Sequence, residues 1–280
     1  MSEFDTTSGG RLAWLLSEGS RLRRDGNPTA AEPLLREAVT LAEQDSHDQP
    51  ARIAGSLNAL GLLCKDLARY DEASALYERA LDLLQSVASG HAPDIATLYH
   101  NLAGIEHARR NYAAGEPLAR KGLEMRRWIG RDDDAALAAD LVALAAILDG
   151  QRKFDEAESL YLDALRILEA SPNANAAEIG VALNDLGAQY VERGRFDRAE
   201  ELLVRASDLK ARRLGARHPD VAVSLNNLAT LHERRGDTDR ASALFGEALQ
   251  IVESALGPNH PKTVDCRRNY ERCLAVNSRM

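Results

Sequence analysis

Apolar and polar positions along this chain repeat together every 42 residues. Leu60, Leu102, Leu144, Leu186 and Leu228 form one column, set in the related strings LNALG, HNLAG, VALAA, LNDLG and NNLAT. A second column is small throughout: Ala31, Ala73, Gly115, Ala157, Ala199 and Ala241. A third follows seven residues later at Ala38, Ala80, Gly122, Ala164, Ala206 and Ala248. Large apolar groups such as Leu35, Tyr77, Tyr161, Leu203 and Phe245 lie between these two. Small residues at i and i+7 with large ones between follow the helical period, and the small ones let a second helix approach closely. Leu225, Leu228, Ala229 and His232 show the same three-and-four spacing on another helix. Each unit is therefore read as two amphipathic helices, A then B. A fixed period between 20 and 50 residues marks a solenoid.

The breaks in the pattern agree. Arg-Gly-Arg-Phe at 193–196 and Arg-Gly-Asp-Thr at 235–238 read as short A-to-B turns, with glycine supplying the positive φ that ends a helix. Pro50, Pro93, Pro219 and Pro261 fall where the next A helix should start, and a first turn needs no N–H from its first residue. Asp71, Asp94, Asp155, Asp197 and Asp220 read as N-terminal capping and dipole charges.

The strings LNNLA at 225–229, FDEAESLYLDAL at 154–165, LGARHPDV at 214–221 and LGPNHPKTV at 256–264 resemble the tetratricopeptide repeat. Their long form is similar to the repeats of kinesin light chains and their bacterial relatives. The likeness spans roughly residues 12–276 and is weakest in the first unit, where Glu18 takes the leucine position. It implies an all-α, right-handed solenoid of antiparallel helix pairs. Six units are expected at about 12–53, 54–95, 96–137, 138–179, 180–221 and 222–263, with a polar capping helix at 261–274. The array is expected to run unbroken over 11–276, with 1–10 and 277–280 as tails. Kinesin light chains also carry an N-terminal coiled coil that joins the motor, and no such segment precedes these repeats, so no motor role is expected.

Composition narrows the classes further. No apolar run is long enough to span a bilayer, and the N-terminus lacks the basic-then-apolar order of a secretory signal, which predicts a cytoplasmic protein. Thirty arginines against five lysines suit a GC-rich bacterial gene. Residues 1–140 hold 16 basic and 22 acidic side chains, and 141–280 hold 19 and 21, so neither half carries the basic footprint of a nucleic-acid binder. Cys266 and Cys273 are seven residues apart on one helix, about 10 Å by helical rise, too far for a disulfide. The same spacing separates His100 from His107 and keeps them from one metal. His218 and His260 recur within "HP" elements as turn formers. No metal or nucleotide motif occurs, so no cofactor and no catalysis are expected.

The resemblance assigns the A helices to the inner wall of a concave groove. Candidate groove residues are then Asn58, Lys65, His100, Asn101, His107, Val142, Asp149, Asn184, Asp185, Asn226, Asn227 and Thr230. Asparagine is a mediocre helix former, so its recurrence in mid-helix asks for a reason. Two remain open: the amides grip a peptide backbone with donor and acceptor, or they bond the neighbouring A helix and fix repeat stacking. Arg23, Lys65 and His107 followed by Asp149, Val191 and Glu233 would orient a charged segment, or the charged ones are solvated helix-end groups paired across repeats. Val142, Ala143 and Ala146 make the fourth unit apolar, as an anchor pocket or as tighter packing, and Trp128 is placed to cover a helix junction.

The expected function is a non-catalytic scaffold binding a peptide or partner protein in this groove, by backbone capture at the asparagines. Lys65, His100, His107 and Asp149 would set specificity. Two alternatives stand beside it: an accessory subunit whose groove senses a small molecule or regulates a partner enzyme, and an enzyme using His100, His107 and Asp149. Self-association is left open.

Overall fold

The computed structural model describes residues 8–45, 50–87, 90–130, 134–171 and 176–277. Among the described residues there are thirteen α-helices and no strand. They run α1 (Ser8–Arg24), α2 (Pro28–Asp45), α3 (Pro50–Asp66), α4 (Tyr70–Gln85), α5 (Ala92–Ala108), α6 (Tyr112–Ile129), α7 (Asp134–Gly150), α8 (Phe154–Ala170), α9 (Ala176–Glu192), α10 (Phe196–Leu214), α11 (Pro219–Arg235), α12 (Thr238–Leu256) and α13 (Pro261–Asn277). The odd-numbered helices are the A helices, and α2 to α12 are their B partners. This is the all-α solenoid arrangement that the period implied.

The A helices begin three or four residues ahead of the unit boundaries drawn from the leucine column. Proline occupies the first helical position at two of them, Pro50 and Pro219, and α13 begins at Pro261, where the capping helix was expected. Ser8–Gly10, read as tail, belong to α1. Residues 1–7 and 278–280 lie outside the described residues. By their contacts the helices group into two compact units, α1–α6 and α7–α13.

Every member of the leucine column is buried, as are both small columns. The small residues work as read. A Cβ on Gly61 of α3 would lie 2.5 Å from the ring of Tyr77 on α4, and one on Gly187 of α9 would lie 2.7 Å from Leu203 on α10. Ala229 and Phe245 repeat the theme between α11 and α12.

The A-to-B turns share one geometry. Residues 26, 68, 110, 152, 194 and 236 all have positive φ, and the next amide but one or the next amide closes back on the A helix, as in Arg69 N–H to Cys64 O at 2.8 Å and Arg195 N–H to Tyr190 O at 2.8 Å. Glycine holds this position at 26, 194 and 236, but Ala68, Arg110 and Arg152 adopt it too.

The first-turn aspartates do not cap. The residues preceding α4, α8 and α10 are Arg69, Lys153 and Arg195, and none makes a side-chain cap. Asp71, Asp155 and Asp197 instead pair with an arginine 38 residues later, at the end of the following A helix: Arg109, Arg193 and Arg235. Each arginine also reaches a residue 35 before it, respectively Ser74, Glu158 and Glu200. Consecutive units are thus clamped by a periodic ion-pair set. His218 and His260 are turn formers as expected, since their Nδ1 atoms accept from Asp220 N–H at 3.1 Å and Lys262 N–H at 3.2 Å. Trp128 covers nothing: it is 82% exposed.

Candidate functional site

The asparagines meet one another. Asn101 of α5 donates Nδ2–H to Asn58 Oδ1 of α3 at 2.8 Å. Asn227 of α11 donates to Asn184 Oδ1 of α9 at 3.2 Å, and Asn269 of α13 donates to Asn226 Oδ1 of α11 at 3.0 Å. Each rung joins residues 43 apart in neighbouring A helices, from the position one before the column to the position two before it in the preceding unit. Stacking is therefore one role these amides perform. Asn101 and Asn184 are buried in doing so.

The rungs leave atoms over. Among the described residues the Asn58 Nδ2, Asn101 Oδ1, Asn226 Nδ2 and Asn227 Oδ1 atoms take part in no other hydrogen bond. The bond within each rung also fixes which way each amide faces. Asn184 spends its own Nδ2 on Asp185 Oδ1 at 3.2 Å, and Asn269 accepts from Arg272 at 3.5 Å. The register between α7 and α9 has no rung, because Val142 stands there opposite Asp185. Thr230 donates to the Asn226 carbonyl of its own helix at 2.9 Å, so its hydroxyl offers only an acceptor.

In the first unit, a cavity of about 70 Å³ opens beside Asn58, lined also by Ala54, Gly55, Leu84, Asp94 and Thr97. Lys65 lies along the same face with its Nζ 2.9 Å from where a Cβ on Gly104 would be. Burial lowers the Lys65 pKa, Asp66 opposes this, and Arg23 adds to it. His107 is exposed, yet the protein mass around it disfavours the imidazolium, and the charges of Lys65 and Arg110 lower its pKa further. Its ring tilts against Tyr112 at 5.7 Å. His100, partly buried, lies one helical turn short of the Gly104 seat. Arg23, the first of the basic row, is paired with Asp66 at 2.6 Å.

In the second unit, Asp149 sits at the end of α7 and burial pushes its carboxyl up to about 6; the Gln189 amide and Arg193 oppose the shift, while Glu192 and Asp185 add to it. Burial also raises Asp185, against the pull of Asn184 and Lys210. Glu233 is neutralised by Arg272 at 2.7 Å. The proposed charge gradient thus loses both ends, Arg23 and Glu233, to ion pairs. Among the described residues Lys65, His107 and Asp149 remain outside such pairs.

Two further residues enter the site. Asn269 supplies the last rung; it was not among the candidates, although the column spacing carried one step past Leu228 reaches it. Lys210 is buried on α10, where the corresponding residues 42, 84, 126, 168 and 252 are Ala, Leu, Arg, Leu and Val, the arginine being buried as well. Its stem crosses Gly180 and its ammonium donates to Ser224 Oγ at 3.2 Å. Among the described residues no group of three His, Cys, Asp or Glu is placed to hold a metal ion, and no helix is long and apolar enough to cross a membrane. The cysteines are free thiols.

Paired A and B helices at a 42-residue period, clamped unit to unit, define a helical-repeat protein. The sequence signature of the tetratricopeptide repeat matches residues 11–86, 94–170, 178–254 and 226–275, and the chain belongs to that family. No curated protein sequence matches it. Among solved structures, it is similar to BtubC (BKLC) from P. vanneervenii, with 22% identity, a TM-score of 0.59, and coverage of 89% of this chain and 94% of that one. A Podosopora anserina protein assigned as a kinesin light chain, with nearly identical repeats of this type, is 18% identical with a TM-score of 0.58, covering 72% and 95%. NprR in complex with its cognate peptide NprX is 13% identical with a TM-score of 0.70, covering 96% and 72%. These likenesses concern the fold.

Proposed function

We propose that this chain is a protein-interaction module that takes an extended peptide segment of a partner along the A-helix face carrying the asparagine rungs. Repeats of this family typically mediate protein–protein interaction. The observation that carries the reading is the state of the rung amides. Asn58 Nδ2 with Asn101 Oδ1, and Asn226 Nδ2 with Asn227 Oδ1, present a free donor and a free acceptor in fixed orientations. A peptide backbone offers the complementary carbonyl and N–H at every residue, whatever its side chains. Because each amide is already held by its neighbour, little side-chain entropy is lost on binding. Lys65, His107 and Asp149, outside ion pairs on the same helices, would then select among ligand side chains, with His100 beside them. NprR, similar in fold, is a peptide complex.

The test is a peptide selected by display against the wild-type chain, with its affinity remeasured on an Asn226→Ala/Asn227→Ala variant of unchanged helix content, which removes the free donor and the free acceptor of one compact unit. Losing two hydrogen bonds of about 1 kcal/mol each predicts roughly thirtyfold weaker binding. An unchanged affinity would mean the peptide binds elsewhere.

A further inference from the structure

Helix α3 carries a glycine that neither packing nor backbone geometry requires. A Cβ added at Gly55 would meet nothing within 4 Å, whereas one at Gly61 would strike the Tyr77 ring. Nor does Gly55 have the positive φ that reserves a position for glycine. Glycine in a helix interior costs stability relative to alanine. The same position in the other units holds Ala13, Thr97, Ala139, Val181 and Val223, so the repeat itself accepts a side chain there. What Gly55 does border is the cavity of about 70 Å³ formed by α3, α4 and α5.

That cavity has an apolar floor and a polar mouth. Its buried lining comes from Ala54, Leu84 and Leu98. Gly55 and Asp94 are exposed and Asn58 is half-buried, which puts them toward the opening. The Thr97 hydroxyl is already engaged, donating to the Pro93 carbonyl at 2.9 Å and accepting from Arg126 at 3.2 Å. Asn58 has its Oδ1 held by Asn101, which leaves Nδ2 as a donor. Asp94 has Oδ2 3.6 Å from His91 Nδ1, which leaves Oδ1 as an acceptor.

We propose that this cavity is a size-selective subsite for one alanine-sized side chain of the bound segment, kept open by Gly55. The inference rests on the peptide-binding reading above. A methyl group suits the apolar floor, where a hydroxyl would lose its water without a partner. The backbone of the same residue stays at the mouth, its carbonyl accepting from Asn58 and its N–H donating to Asp94. Room sets the upper limit: a water molecule takes about 30 Å³ and a benzene ring needs an apolar cavity of about 150 Å³, so this one admits a methyl and excludes leucine or an aromatic ring. A side chain at position 55 would stand in the opening, which gives the glycine a reason that the helix does not.

The experiment selects a random-sequence peptide display library in parallel on the wild-type chain, Gly55→Val and Asn226→Ala/Asn227→Ala. Because Val181 and Val223 occupy the equivalent position, Gly55→Val should keep its helix content by circular dichroism; Gly55→Ala, which fills less of the opening, is measured beside it. Peptides selected on wild type should share one position restricted to alanine. Replacing that alanine by leucine should weaken binding to wild type at least about tenfold, and Gly55→Val should weaken the alanine peptide by a similar factor and erase the difference between the two peptides. Gly55→Ala should act in the same direction. Wild-type peptides that tolerate leucine at every position overturn the subsite, and so do peptides that bind both position-55 variants as tightly as wild type. The rungs are judged apart from this: peptides weakened by Asn226→Ala/Asn227→Ala uphold that reading even where the subsite fails, and peptides indifferent to it count against the rungs.

Discussion

Two glycines of helix α3 should respond to the same substitution with opposite signs. At Gly55 an added Cβ meets nothing within 4 Å. Gly55→Ala there removes the helix penalty of glycine and should stabilise by about 0.5–1 kcal/mol. At Gly61, two turns on, the Cβ would lie 2.5, 2.9 and 3.0 Å from three carbons of the Tyr77 ring. That ring is fully buried between Gly61 and the core formed with Leu57, Leu60 and Ala80, so it cannot swing out to water. Overpacking of this kind costs about 1–3 kcal/mol, and the contact is close enough to take the upper figure. Setting the helix gain of about 1 kcal/mol against it leaves a net loss of about 2 kcal/mol. The two variants should then differ by about 3 kcal/mol, although a helix-propensity scale treats them alike. Urea unfolding followed by circular dichroism, with slopes compared to confirm that each transition stays cooperative, measures the difference. A Gly61→Ala variant as stable as wild type would refute the close packing of α3 on α4.

Three other outcomes are expected. Ala68→Gly relieves a positive φ of 57° that costs alanine about 1–2 kcal/mol, against about 0.4–1 kcal/mol of added unfolded-chain freedom, so a small gain should appear in the urea midpoint. Tyr77→Phe removes a buried hydroxyl that has no protein hydrogen-bond partner, and it should leave stability unchanged or raise it by about 1 kcal/mol; a clear loss would reveal an unseen partner. Arg193→Met strips Glu158 of its 2.6 Å partner, leaving Tyr190 and Arg195 on that carboxylate, and should cost about 1–2 kcal/mol, measured as a coupling in a double-mutant cycle with Glu158→Gln.

The helical pairs were legible in the sequence because burial repeats. The leucine column, the two small columns and the prolines each mark a position that packing or backbone geometry constrains in the same way in every unit. Ala68, Arg110 and Arg152 hid the turn positions that glycine announces elsewhere, since the turn's hydrogen bonds hold a non-glycine residue there. The Arg109, Arg193 and Arg235 clamps were also periodic. They went unseen because an aspartate in a first turn already has a sufficient local explanation in the helix dipole. The asparagines were located, but their pairing was not. Which amide meets which depends on the offset between successive A helices, which side-chain spacing within one helix does not carry. Lys210 is visible, with Arg126, as a cation in an otherwise apolar column, but its landing on Ser224 needs the fold. The ends of the basic and acidic row follow the second of the two readings left open, since Asp66 and Arg272 pair with Arg23 and Glu233 across repeats.

The central claim is that a peptide lies along the rungs. Side-chain amide NMR spectra of the labelled chain, recorded as a display-selected peptide is added, test it directly. The account predicts that the Nδ2 resonances of Asn58 and Asn226, which carry free donors, shift most. Those of Asn101, Asn227 and Asn269, already bonded within rungs, should shift less. If the perturbed signals instead surround the cleft of Leu162, Leu183, Tyr190 and Leu202 on α8–α10 while every rung amide stays still, the ligand binds another face and the account is contradicted.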